Sequence, residues 1–252
     1  MRVTIIQFDI KWSDKDFNLK KIESMIHENT DLIVLPEMFS TGFVTNELAK
    51  DLAEDMDGST IKWMKSISKS KNIAITGSLI IKDSEKIYNR LIWVHPSGEI
   101  EFYDKKHLFS FAGEDKVFTP GKDQLIVEYA GLKIKPLICY DLRFPVWSSS
   151  GEFDMIIYVA NWPKSREHHW SSLLVSRAIE NQCFVVGVNR VGEDDSKKKH
   201  SGLSQIVNPN GEILTILLNE GLDTVYLDKD ELNDFRSKLP FLKDSDRFEI
   251  LS

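Results

Sequence analysis

The chain has 252 residues, 42% apolar and 28% charged, with 13 glycines, 8 prolines and 2 cysteines. That composition excludes collagen-like, disordered and disulfide-scaffold classes, and folding at this length removes roughly 70–75% of the extended chain's surface from water without cross-links. With 32 basic against 39 acidic residues the formal charge is −7, which repels phosphate backbones and anionic membrane surfaces at long range, so neither nucleic acid nor membrane is expected as a partner.

Short β-rich apolar segments alternate with stretches of helical period, the pattern of an α/β protein. A strand is predicted over residues 3–8, a helix over 17–26 and a second strand over 32–35. The helix predicted at 59–71 keeps Ile61, Met64 and Ile67 on one face. Strands follow at 73–81, 91–94, 99–103, 125–127, 132–138 and 155–159. A helix at 166–182, apolar at Leu173, Leu174, Ala178 and Ile179, precedes strands at 184–188, 204–207, 213–217 and 224–227 and a last helix at 229–236. No Pro/Gly/Ser-rich linker or low-complexity tract divides the chain, so one domain over 1–252 is expected. The longest apolar run, 155–160, is six residues, far below the ~20 that a membrane-spanning helix needs. The first residues lack a secretory leader's apolar centre and no Asn-x-Ser/Thr sequon occurs, so the cytoplasm is expected, where lone cysteines stay reduced.

One internal echo stands out: Val94-His-Pro-Ser-Gly-Glu-Ile100 and Val207-Asn-Pro-Asn-Gly-Glu-Ile213 both place Pro, then Gly two later, between β-rich runs. Both read as hairpin turns, with Pro fixing φ and Gly supplying positive φ. Their recurrence suggests two similar halves whose sheets pack face to face under outer helices. The charged stretch 193–200 between two predicted strands reads as a solvated loop.

Cys139 follows the strand at 132–138 and precedes Tyr140-Asp-Leu-Arg-Phe-Pro145. A strand end holds a sulfur on a rigid element, and amides of a following helical turn favour negative charge there. Cys183, embedded in Gln182-Cys-Phe-Val-Val186, reads instead as a small buried hydrophobe. A catalytic thiol needs a base, and both histidines (His27, His95, His107, His168, His169, His200) and carboxylates qualify. There is no His-Glu-x-x-His or Cys-x-x-Cys pattern, so neither metal nor cofactor is expected. Glu37 lies just beyond the strand at 32–35 and Lys105 just beyond the strand at 99–103, where open α/β sheets collect ligands. Singly each reads as well as a surface residue; jointly, three complementary groups past strand ends point to a site.

In this order, Leu35-Pro-Glu37, Lys105-Lys-His-Leu108 and Ile138-Cys-Tyr-Asp-Leu-Arg143 resemble the glutamate, lysine and cysteine motifs of the nitrilase, or carbon–nitrogen hydrolase, superfamily. Asn161-Trp-Pro163, Arg177-Ala-Ile-Glu-Asn-Gln182, Asn189-Arg-Val-Gly192 and Asn208-Pro-Asn-Gly211 extend the resemblance from residue 3 to about 227. It implies a four-layer α-β-β-α sandwich that forms a homodimer, and catalysis by Glu37, Lys105 and Cys139 through a thioester. The Lys-x-His-Leu register selects Lys105 over Lys106. Glu114 is implied as a supporting glutamate and the Tyr140 backbone N–H as an oxyanion donor. Phe111 and Trp162 are implied as pocket walls. Arg143 either binds a substrate carboxylate or pairs with Asp141 or another acid.

Met38-Phe-Ser-Thr-Gly-Phe43, Phe144-Pro-Val-Trp147 and Tyr158-Val-Ala-Asn-Trp-Pro163 narrow the resemblance to ω-amidases, which open α-ketoglutaramate and similar α-keto acid monoamides. Leu203 departs from it, standing where relatives often carry an acid, at the pocket rim or in the packing. The same three catalytic residues would suit another amidase, a carbamoylase or a nitrilase. Two readings of other kinds are a Cys–His hydrolase with His107 or His168 as base, and a catalytically silent binding module.

Overall fold

The computed structural model describes residues 1–26, 29–149, 151–246 and 248–250. The first half runs β1 (Arg2–Gln7), α1 (Lys15–Met25), β2 (Leu32–Val34), α2 (Leu48–Leu52), α3 (Ser59–Lys71), β3 (Ala74–Asp83), β4 (Lys86–Val94) and β5 (Ile100–Asp104). The second continues β6 (Val127–Tyr129), β7 (Leu132–Ile138), α4 (Pro145–Ser149), β8 (Met155–Val159), α5 (Glu167–Asn181), β9 (Phe184–Val188), β10 (Val191–Glu193), β11 (Lys199–Ser201), β12 (Ser204–Val207), β13 (Ile213–Leu217), β14 (Gly221–Tyr226) and α6 (Lys229–Lys238). Two six-stranded sheets result, ordered β14-β1-β2-β3-β4-β5 and β13-β12-β9-β8-β7-β6. Each has three parallel strands, β1-β2-β3 and β7-β8-β9.

Period-two alternation gives each sheet two buried faces. Val3, Ile5, Leu32, Val34, Leu91 and Trp93 of the first sheet share a core with Ile134, Met155, Ile157 and Val186, which register places on one face of the second. The intervening residues Ile33, Ile75 and Ile92 pack instead on Ile22 of α1 and Ile61, Met64 and Ile67 of α3. On the far side α5 presents Trp170, Leu174 and Ala178. It comes so close to β9 that a Cβ on Gly187 would lie 2.4 Å from a Leu174 methyl. The layers are therefore α-β-β-α, as expected, and no helix among the described residues is long and apolar enough to cross a membrane.

The echoed motifs close equivalent hairpins. His95 N–H bonds Glu99 O at 2.9 Å between β4 and β5, and Asn208 N–H bonds Glu212 O at 2.9 Å between β12 and β13. Gly98 and Gly211 take φ of +87° and +85° there. Several boundaries differ from expectation. β4 begins at Lys86 rather than residue 91, and the helix expected from 166 opens with a 3-10 turn at Lys164–Arg166. The charged stretch read as a loop is the end of a two-stranded ribbon, β10 pairing with β11.

Candidate active site

Glu37 sits three residues past β2 and is fully buried. The chain turns sharply behind it, since Met38 takes φ +46° and its N–H donates to Ser78 Oγ at 2.9 Å. Glu37 Oε1 accepts from Lys105 Nζ and from Asn89 Nδ2, both at 2.8 Å, while Oε2 accepts from the Asn161 N–H at 2.8 Å. Oε2 thus keeps more free acceptor capacity than Oε1.

Lys105, directly after β5, is held at its backbone by Asn89 O at 3.0 Å and the Gly121 N–H at 2.9 Å. Its Nζ also reaches Glu114 Oε1 and Oε2 at 3.0 and 2.9 Å. Glu114, in a 3-10 turn, accepts further from Asn89 Nδ2 at 3.0 Å and the Phe109 N–H at 2.6 Å. Burial alone would depress the lysine, but the charges of Glu114 and Glu37 more than reverse this, so its pKa is raised and the ammonium is retained. Burial, then the negative charge of Glu37, pushes Glu114 above the usual carboxylate range against the pull of Lys105.

Cys139 directly follows β7 and opens a 3-10 turn, Cys139–Arg143, with φ of +44°. A non-glycine residue in the left-handed region costs of order 1–2 kcal/mol and persists only where its surroundings enforce it. Cys139 and Lys105 line one pocket, of about 530 Å³ counting its open mouth. Burial raises the Cys139 thiol well above an ordinary cysteine, the Glu37 charge adds to this, and Lys105 and the Asn161 N–H oppose it. The resting sulfur is therefore a thiol and needs a base to become a nucleophile.

The pocket walls include Phe43, Phe109, Tyr140 and Trp162. Trp162 is 3% exposed, donates its indole N–H to Arg166 O at 2.7 Å and packs against Trp170, joining wall to core. The Arg143 guanidinium lies 4.6 Å over the Trp162 ring and that of Arg166 lies 5.4 Å over Phe109. Among the described residues neither arginine is ion-paired. Burial, then the neighbouring Arg166, lowers the pKa of Arg143. Of the two readings of Arg143, the pair with Asp141 is absent, because that carboxylate faces Tyr103, His107 and Ile138.

Phe111 requires a correction: its turn carries it outward, 87% exposed, and Phe109 lines the pocket in its place. Leu203 is not a rim residue either; it packs against the core and its carbonyl accepts the Trp170 indole N–H at 2.9 Å. His107 and His168 do not line the pocket, the first bonding Asp141 through Nδ1 and the second standing on α5, while His200 does line it. His27 lies outside the described residues. Missed by sequence reasoning were Asn89, and Asp194 and Lys198 of the loop joining β10 to β11, which line the pocket. Extending β4 back to 86 would have put Asn89 on the same face as Leu91 and Trp93. Nothing in the charged stretch distinguished pocket-lining residues from solvated ones.

Four layers, and a thiol beside a buried lysine between two glutamates, define a cysteine hydrolase of the nitrilase type. The chain belongs to the carbon–nitrogen hydrolase family, which it matches over residues 2–233. It is 38% identical to Omega-amidase YafV of Escherichia coli strain K12, over 99% of this chain and 98% of that protein. It is 33% identical to the 2-oxoglutaramate amidase of Bacillus subtilis strain 168, over 96% of each. A CN-hydrolase superfamily protein from Xanthomonas campestris, solved with an arsenic adduct in its active site, superimposes with TM-score 0.95 at 36% identity, covering 99% of this chain and 98% of that one.

Proposed function

We propose that the protein hydrolyses the terminal amide of small α-keto acid monoamides, α-ketoglutaramate and α-ketosuccinamate, to the dicarboxylic α-keto acid and ammonia. The observation that carries the chemistry is the buried cluster of Lys105 between Glu37 and Glu114, bordering the pocket that holds Cys139. Glu37 takes the thiol proton as sulfur adds to the amide carbon. Lys105 and the Tyr140 backbone N–H stabilise the oxyanion, and Glu114 holds the lysine. Glu37 then gives its proton to nitrogen, the C–N bond breaks, ammonia leaves and a Cys139 thioester remains. Water adds to the thioester with Glu37 again as base, the C–S bond breaks, and the proton returns to sulfur. One carboxylate serves all four transfers.

Arg143 and Arg166 support the anionic substrate class. Two guanidiniums stacked on aromatic walls, neither in an ion pair among the described residues although Arg143 donates to His169 Nδ1 at 3.2 Å, suit a substrate whose far end is a carboxylate, and a neutral amide or nitrile would leave both without a counter-charge. The names of the Escherichia coli and Bacillus subtilis relatives point the same way. The same reading makes the protein one cytoplasmic domain acting as a homodimer. Two unpaired cysteines and the exposed apolar side chains Ile213, Leu214 and Leu218 support it, and sedimentation velocity reports the dimer.

The test is ammonia release from α-ketoglutaramate, an uncharged amide, a nitrile and an N-carbamoyl amine. The keto acid amide should lead by 100-fold or more in kcat/KM, and Arg143→Ala with Arg166→Ala should remove most of that lead. Equal rates on the uncharged amide would overturn the substrate assignment. Full activity in folded Cys139→Ala or Glu37→Gln would overturn the mechanism.

A further inference from the structure

The fully buried Asp141 carboxylate joins the two segments that carry Lys105 and Cys139. Its Oδ2 accepts from the Tyr103 hydroxyl at 2.8 Å and the Ile138 N–H at 3.0 Å. Its Oδ1 accepts from the His107 N–H at 3.0 Å and from His107 Nδ1 at 2.8 Å. Tyr103 and His107 flank Lys105 by two residues on either side, and Ile138 immediately precedes Cys139. Four donors from the two segments therefore converge on one carboxylate. The network continues outward, since the Tyr103 oxygen accepts from Trp147 Nε1 at 3.0 Å and the Lys106 N–H at 3.1 Å. The His107 ring lies flat on Phe144, centroids 3.8 Å apart.

Cys139 holds a left-handed φ that its own chain disfavours, and Lys105 follows the end of an edge strand. Neither element by itself sets the distance between sulfur and ammonium. We infer that Asp141 is a positioning residue for catalysis, fixing the Cys139 elbow against the Lys105 segment so that nucleophile and oxyanion donor keep their spacing. This rests on reading Lys105 and Cys139 as catalytic. It also assigns His107 a part: its Nδ1–H is a strut to Asp141 rather than a base toward the thiol.

Every contact of Asp141 is a donor, so Asp141→Asn turns one acceptor oxygen into an amide that faces donors and releases one of the two segments. Substrate contacts at the pocket walls stay in place, so the loss should fall on turnover. Misplacing reacting groups by about 1 Å costs on the order of 100-fold. Asp141→Asn should lower kcat by about 100-fold with KM within about threefold of wild type. Tyr103→Phe and His107→Phe, which keep an aromatic ring at each position while removing the side-chain donor to Asp141, should each lower kcat by about tenfold. Their combination should fall no lower than Asp141→Asn, since both act through that carboxylate.

A kcat for folded Asp141→Asn within threefold of wild type would overturn the inference, as would a rise in KM matching the fall in kcat. If Asp141→Asn does not fold, Tyr103→Phe and His107→Phe decide, and unchanged kcat in both overturns it. Cys139→Ala and Lys105→Met in the same assay separate the two readings. If they remain active the catalytic assignment fails; if they are inactive while the Asp141 series is unaffected, only the positioning role fails.

Discussion

Replacing Lys105 with methionine removes the cation from a buried site that holds two carboxylates. Its Nζ lies 2.8 Å from Glu37 and 2.9 Å from Glu114, and neither acid has any exposed surface. Breaking a desolvated ion pair from one side costs about 3–5 kcal/mol, because the charge left behind has neither partner nor water. At about 2–4 °C per kcal/mol for a chain of this size, the melting midpoint should fall by roughly 6–20 °C. Turnover should fall separately by about 10²–10³-fold, the usual loss for one oxyanion donor.

Adding Glu114→Gln to Lys105→Met removes one of the two stranded charges, so the double variant should regain stability while regaining no activity. The deficit of the single variant also has a sign in pH. Burial and Glu37 already raise Glu114 while Lys105 opposes them, so the shift grows when the lysine goes. A carboxyl with a raised folded pKa stabilises fully below its unfolded value and loses that contribution as pH rises through the folded one. The Lys105→Met deficit should therefore be smaller near pH 5 than near pH 8. Thermal melts followed by circular dichroism at both pH values, with ammonia release on the same samples, make the comparison. A single variant melting within about 2 °C of wild type, or a double variant no more stable than the single, would refute the reasoning.

Iodoacetamide followed by peptide mass spectrometry should label Cys139 and leave Cys183 unmodified in the native protein. Cys183 is fully buried and its thiol is pushed up by burial, so label at Cys183 before unfolding would contradict the core described here. Burial, with the charge of Arg190 adding to it, lowers the pKa of His200 to about 4 from 6.5. The folded state then holds fewer protons than the unfolded one between those values, and stability should drop by about 3 kcal/mol as pH falls through that window. Urea melts of wild type and His200→Gln at about pH 7 and pH 4.5 test this. A wild-type loss no larger than the variant's would remove His200 as its source.

Legibility followed chain locality. The strands at 132–138, 155–159 and 184–188 were readable because parallel strands buried on both faces are continuous apolar runs. The two Pro-x-Gly turns were readable because positive φ is written in the glycine. β10 and β11 were not, because two three-residue strands, Val-Gly-Glu and Lys-His-Ser, hold one apolar residue between them and show no period. Phe111 and Phe109 are two residues apart in one loop, and no local signal separates the ring that enters the pocket from the ring that leaves it. Asn89 was missed because the apolar run that marks its strand begins at Leu91, beyond it.

The chain by itself determined which residues stand at strand ends, since alternating apolar runs terminate where backbone groups must turn toward water or ligand, and it placed Glu37, Lys105 and Cys139 there. Only the tertiary structure decided that Lys105 lies between two carboxylates, that Asn89 bridges them, and that Arg143 leans on Trp162 instead of Asp141. The physical reason is that strand ends follow from short-range patterning, whereas contacts such as Glu37 with Asn161, separated by 124 residues, exist only once two sheets have packed and their register is set.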